Sequence, residues 1–218
     1  ETPPNIPQAW HPHKKQARIL VDQVLKDGRT QLTETEAKQL LTYYDIPIPE
    51  GKVVQTVEEA IACAHALGYP VVIKIDSPAI VHKTDVGGVV LDLDSDQMVE
   101  AAFKEIRNRF ETHHPEAAFT GVRVEKMISK RYELLIGAKK DPIFGPAIAF
   151  GSGGILVEYF KDISMGLPPL NMALALRIIE KTKAYAWLKG VRGLPGVDVE
   201  MIQFLLVKFA YLVMDFPE

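Results

Sequence analysis

"VVIKIDSPAIVHKTDVGGVVLDL" (residues 71–93) joins two strand patterns through a segment far longer than a turn requires. Val71, Val72, Ile73 and Ile75 read as a buried strand, and 88-GVVLDLD-94 reads as a second strand with apolar–polar alternation at its end. A hairpin connection takes roughly two to five residues. Here the connection holds Pro78, His82, Lys83, Asp85 and the pair Gly87–Gly88. A long polar loop between neighbouring strands points to a working loop rather than a plain turn.

Working outward, 14-KKQARILVDQVLKDG-28 has apolar residues at helical spacing and a glycine stop. In 33-TETEAKQLLTYYDIPIPEG-51, Thr33 stands three residues before Glu36, a capping-box spacing, and the helix must end before Pro47 and Pro49. A short strand, 52-KVVQT-56, follows; Thr56 and Glu59 repeat the capping box and open a helix over 57–67. Downstream, 95-SDQMVEAAFKEIRNRFETHH-114 predicts an amphipathic helix with Met98, Ala101, Ala102, Ile106 and Phe110 on one face. Three β segments come next: 121-GVRVEKMI-128, 132-YELLIGAKKD-141 and 146-PAIAFGSGG-154, the last two separated by the turn DPIFGP. Residues 155–171 read as mixed structure, 172–182 as a helix, and 199–214 as a final apolar helix. Adjacent strands in places and helix-separated strands elsewhere give a mixed α+β plan with largely antiparallel sheets. A doubly wound parallel sheet needs strict alternation and is not suggested.

A net charge of −3 gives no electrostatic footprint for nucleic acid. No apolar run has the length of a membrane span, and the first fifteen residues lack the apolar region of a signal peptide. The single cysteine, Cys63, cannot make an internal disulfide, so a reducing, cytoplasmic compartment is expected. Its place on an apolar helix reads as packing. Both ends, ETPP and FPE, read as cuts in something longer.

Several residues have two readings each. Lys74 lies within an apolar strand, opposite in facing to Ile73 and Ile75, and needs a partner: a structural carboxylate or a phosphate oxygen. His82 is either a solvated loop histidine or a nucleophile that takes a phosphoryl group, with Asp85 to orient its ring and Lys83 to neutralise the phosphate. Gly87–Gly88 and the glycines of 150-FGSGG-154 serve either as turn devices or as close approaches of backbone amides to an anion. Neither loop has the P-loop or dinucleotide-binding spacing. Glu125 and Glu133 are either strand-edge charges or acceptors for a ligand hydroxyl or amine. No histidine has metal-ligand spacing.

Taken together, the 71–93 stretch, 121-GVRVEKMI-128, 133-ELLIGAKKDPIFGPAIAFGSGGILVE-158 and 188-LKGVRGLPGVD-198 resemble the ATP-grasp domain of ADP-forming acyl-CoA synthetases, relatives of succinyl-CoA synthetase. The resemblance runs in order from about residue 30 to the end. It implies an ATP-grasp fold of two α+β lobes: a leading segment 1–29, a first lobe 30–120 and a second lobe 121–218. It implies ATP/ADP and Mg²⁺ as cofactors, with Lys74 and Lys83 at the phosphates and Gly87 and Gly88 in the mobile loop. Glu125, Met127 and Ile128 would form the hinge at the adenine edge, Glu133 a nucleotide-facing carboxylate, and Gly151, Gly153 and Gly154 a loop near the phosphates. His82 takes the position of the histidine that relays a phosphoryl group to a CoA-binding domain or subunit, with Asp85 as its helper. The family's metal ligands would lie beyond Glu218, so no metal ligand is assigned. Residues 167–190 look closest to versions fused to an acetyltransferase, which raises a second reading as a non-catalytic sensor of nucleotide or acyl-CoA.

Overall fold

The computed structural model describes residues 10–77, 80, 83–84, 86–129, 132–154, 162–191 and 194–217. His82 and Asp85 lie outside the described residues. The chain divides into two units, one of residues 16–42 and 47–129, the other of 1–15, 43–46 and 130–218.

The first unit holds most of α1 (Lys14–Lys26) and α2 (Glu34–Tyr43), then β1 (Gly51–Val54), α3 (Val57–Leu67), β2 (Val71–Ile75), β3 (Val89–Leu93), α4 (Asp96–His113) and β4 (Val122–Lys126). The four strands form an antiparallel sheet in the order β1-β4-β2-β3. β2 and β3 are sequence neighbours and pair, so the loop between them opens at one end of the sheet. The side chains of Val71, Ile73, Ile75, Val122 and Val124 fall on one face and pack under α3 and α4 in a continuous apolar core. Cys63 packs against that core, and burial raises its thiol above the usual range. The other face carries Lys74, Arg123 and Glu125 beside the buried Val72.

Strand β4 changes the expected division. The boundary at 121 would give it to the second lobe, yet it lies between β1 and β2 in register with both. Pairing on both edges outweighs its position in the chain. The first capping box forms in full and the second in its forward half. Thr33 Oγ1 accepts from the Glu36 amide at 3.2 Å, and Glu36 accepts from the Thr33 amide at 2.7 Å. Thr56 Oγ1 accepts from the Glu59 amide at 3.2 Å, while the Glu59 carboxylate reaches one residue further back, to the Gln55 amide. In α4 the buried stripe is Val99, Ala102, Phe103, Ile106 and Phe110; Met98 and Ala101 are exposed. Ala102, Ile106 and Phe110 are buried as expected, while Val99 and Phe103 take the places of Met98 and Ala101 because they bring larger apolar area to the sheet.

The second unit has β5 (Leu134–Asp141), β6 (Gly145–Ser152) and β7 (Ile163–Gly166) as an antiparallel sheet in that order. α5 (Met172–Glu180), α6 (Ala184–Leu188), the short pair β8 (Gly190–Val191) and β9 (Leu194–Pro195), and α7 (Val199–Asp215) follow. Ile148 and Phe150 pack with Leu170, Ile178, Ile179, Leu206 and Val207. The β5–β6 turn is closed by Asp141, whose carboxylate accepts the amides of Ile143 at 2.8 Å and Phe144 at 2.9 Å. β7 was not resolved from the mixed pattern at 155–171; only pairing with β6 selects it. Trp10, expected in an irregular linker, packs edge-on against Phe204 and Tyr211 of α7. Tyr44 donates to Asp215 at 2.6 Å in the same unit. No helix among the described residues is long and apolar enough to cross a membrane.

Truncating Phe103 to Ala is expected to destabilise the first unit by about 3–5 kcal/mol, through lost burial and an unfilled cavity. Met98→Ala should stay within about 0.5 kcal/mol. Urea unfolding of the two variants checks the assignment; equal losses would refute it.

Candidate functional site: a lysine cluster beside a polar cavity

Lys74 sits on β2 opposite Arg123 of β4, and Glu125 faces Val72 one step along. Strand alternation turns Lys74, Arg123 and Glu125 to the same side of the sheet. α2 lies over that side and contributes Glu34 and Lys38, one helical turn apart. The Glu125 side chain is 1% exposed and is bound by three cations: Lys38, Lys74 at 2.9 Å and Arg123 at 2.5 Å. A carboxylate that deep stays ionised only with such partners. Burial works to raise its pKa, but hydrogen bonds from Lys38, Lys74 and Arg123 win and hold it below the usual carboxylate range.

Glu34 forms the second centre. Its Oε1 accepts from Lys38 at 2.6 Å and from Lys74 at 3.2 Å, and its Oε2 accepts from Lys83 at 2.7 Å. Burial opposes its charge, yet the bonds from Lys38 and Lys83 and the charge of Lys74 bring the carboxyl down to about 2. Desolvation tends to discharge Lys74, but the bond and charge of Glu125, with Glu34 behind it, raise its pKa. The described members of this network are four cations (Lys38, Lys74, Lys83, Arg123) and two carboxylates (Glu34, Glu125).

A cavity of about 800 Å³ opens beside the network, within the first unit. Glu34, Lys74, Ser77, Lys83 and Thr84 line it together with the α1–α2 connection, Gly28 to Thr33, and with Ile80 and Val89. Hydroxyls and ammonium groups dominate this wall, a donor set suited to an anionic, oxygen-rich ligand. Arg29, also on the wall, is committed elsewhere: it binds Glu36 through both terminal nitrogens, at 2.8 and 2.7 Å.

The other site expectations divide. Lys74 and Lys83 come together at the cavity. Glu125 is not among the residues that line the cavity; its carboxylate binds Lys38, Lys74 and Arg123. The Met127 amide donates to the Pro70 carbonyl at 3.1 Å, and the Ile128 side chain is exposed. Gly87 and Gly88 do not offer free amides, because their N–H groups donate to the carbonyls of Thr84 and Lys83. Gly87 has a positive φ of 63°, and a Cβ there would meet the Arg109 guanidinium; one at Gly88 would meet Ile75. Gly151 is required by β6–β7 packing, since its Cβ would strike the Asp162 carbonyl. Gly153 donates to the Glu133 carbonyl at 2.6 Å, and Gly154 lies against the Glu133 side chain. These glycines therefore have structural duties in the described fold. Sequence reasoning missed Glu34 and Lys38; their i,i+4 spacing in the first turns of an amphipathic helix was the available signal. Among the described residues, no group of three or more His, Cys, Asp or Glu could hold a metal ion.

Glu125→Ala leaves three cations facing one another and is expected to cost on the order of 3 kcal/mol or more in urea unfolding. A loss under about 1 kcal/mol would show that the cluster is solvated. The Glu34 carboxyl is lowered on folding, so its stabilisation is complete above its ordinary value of 4.5 and is lost as pH falls toward 2. Wild type should lose about 2 kcal/mol more than Glu34→Gln between pH 5 and pH 2. Parallel pH profiles would overturn that assignment.

Residues 23–218 match the ATP-grasp domain family. The chain is 40% identical over 202 residues to the β subunit of an ADP-forming acetate–CoA ligase of Pyrococcus furiosus, covering 93% of this chain and 87% of that one. Among solved structures, the dinucleotide-forming acetyl-coenzyme A synthetase 1 of Ca. Korarchaeum cryptofilum superposes with a TM-score of 0.84 at 38% identity, over 90% of this chain and 86% of that chain. A second structure of that enzyme, with coenzyme A and Mg-AMPPCP and its phosphohistidine segment pointing towards the nucleotide site, superposes with a TM-score of 0.77 at 37% identity, over 90% and 84%. These relatives give no support to the acetyltransferase fusion expected from residues 167–190. Fold, motif order and identity agree: the chain belongs to the ATP-grasp family, as the nucleotide-binding part of ADP-forming acyl-CoA ligases of the acetate–CoA ligase type.

Proposed function

We propose that this chain supplies the nucleotide site of an ADP-forming acid–CoA ligase and exchanges a phosphoryl group between ATP and His82. The observation that carries the reading is the pair Lys74 and Lys83 on the wall of the 800 Å³ cavity, within a network richer in cations than in carboxylates. Phosphoryl transfer needs positioning and neutralisation of oxygen charge more than covalent help from the protein. In the synthetic direction a neutral His82 ring nitrogen attacks the γ-phosphorus, an N–P bond forms, and the bond to the β-phosphate oxygen breaks to release ADP. Asp85 orients the ring, and Lys74 and Lys83 balance the phosphate charge. The phosphoryl group then passes to a CoA-binding domain or subunit, where acid and CoA are joined and phosphate is released. The β-subunit name of the Pyrococcus relative and the coenzyme A and phosphohistidine segment of the Korarchaeum enzyme support this division of labour. That enzyme's nucleotide was bound with magnesium, which would screen the same oxygens here. Glu133, Met127, Ile128, Gly151, Gly153 and Gly154 remain candidates for the base and phosphate surroundings.

The test is incubation of the intact protein with γ-labelled ATP and Mg²⁺. Acid-labile, base-stable label is expected on wild type and absent from His82→Ala. Lys74→Ala should weaken ATP binding roughly tenfold or more, the worth of a charge-assisted bond. A protein that binds ATP and never takes label would sink the relay.

A further inference from the structure

We infer that Lys38, Lys74 and Lys83 form a seat for one phosphoryl group, and that the Glu34 carboxylate is the resident anion an incoming phosphate displaces. The inference rests on the nucleotide reading above and adds Glu34 and Lys38 to it.

Three ammonium groups converge on the Glu34 carboxylate: Lys38 at 2.6 Å and Lys74 at 3.2 Å on Oε1, and Lys83 at 2.7 Å on Oε2. One carboxylate carries a single negative charge and two oxygens. A phosphoryl group offers three oxygens and nearly two charges, so it satisfies the same three donors more completely. The rest of the network leaves room for that charge. Glu125 is shared among Lys38, Lys74 and Arg123, and among the described residues Lys83 has its ion pair with Glu34.

The position allows exchange. Glu34, Lys74 and Lys83 line the cavity, so an anion entering there meets the carboxylate and two of its three lysines. Lys38 stands behind, held from the far side by Glu125. Glu34 is the first residue of α2, and its side chain is 24% exposed, so it can rotate outward without breaking the helix. Once it has left, Lys38 and Lys74 stay anchored by Glu125, and Lys83 changes its partner from carboxylate to phosphate. Thr33, Ser77 and Thr84 on the same wall supply hydroxyls to the remaining oxygens. A strut and a resident anion make opposite predictions. If Glu34 holds the lysines in place, its loss scatters them and weakens phosphate binding. If it competes for them, its loss strengthens binding.

The experiment is titration calorimetry of wild type, Glu34→Gln, Glu34→Asp and Lys38→Met with inorganic tripolyphosphate and, separately, with ADP, at two salt concentrations. Glu34→Gln should bind tripolyphosphate roughly fivefold tighter or more, while its ligand-free melting temperature falls. Glu34→Asp, which keeps the charge but shortens the reach, tests the same point if the amide variant does not fold, and should tighten binding less. Lys38→Met should weaken it. Unchanged or weaker tripolyphosphate binding in both Glu34 variants overturns the seat, and leaves the nucleotide reading standing if ADP still binds. Tighter tripolyphosphate binding with no ADP binding by any form supports the seat and removes the nucleotide reading.

Discussion

A carboxylate with 1% exposure has to be neutralised from every side, and Glu125 organises the first unit around that need. Its cations come from three elements: Arg123 two residues away on the same strand, Lys74 on the neighbouring strand, and Lys38 on α2. The contact with Lys38 ties α2 to the charged face of the sheet. The contact with Lys74 fixes an ammonium group at the cavity wall. One buried charge thus couples helix placement, strand register and the donor geometry of the site.

The arrangement also explains why the site is cationic and still stable. Bare lysines at van der Waals distance repel one another and lose their protons when desolvated. Here Glu125 and Glu34 keep Lys74 charged against the effect of burial. A ligand phosphate replaces a carboxylate rather than filling an uncompensated hole, so free and bound states both keep their charges paired. The cost of preorganising the lysines is met by the fold before any ligand arrives.

The glycines show how one residue type serves two masters. Gly87, Gly88, Gly151 and Gly153 lie in motifs that suggest anion cradles, yet a Cβ at each would strike Arg109, Ile75, the Asp162 carbonyl or Glu133. Three of them spend their amides on internal carbonyls. The loops are thereby shaped by packing, and the lysine side chains carry the charge at the cavity. A glycine motif in sequence records that backbone passes close to something; it does not say whether that is ligand or protein.

Much was legible in the sequence, and for local reasons. A short apolar run marked β2, alternation at the end of 88–94 marked β3, and the Thr33–Glu36 and Thr56–Glu59 spacings placed two helix starts, because capping and alternation act over a few residues. Lys74 was legible as a charge in an apolar strand that needed a partner. Tertiary structure alone decided which partner: Glu125 lies 51 residues away and Glu34 lies 40 away. It also decided that β4 joins the first sheet, that Trp10 packs on α7, and that Glu125 is buried among Lys38, Lys74 and Arg123. Local pattern sets which face a side chain takes, because that depends on backbone periodicity. What stands opposite that face depends on strand order and helix docking, which are settled only when distant segments compete to bury the same apolar area and to neutralise the same charge.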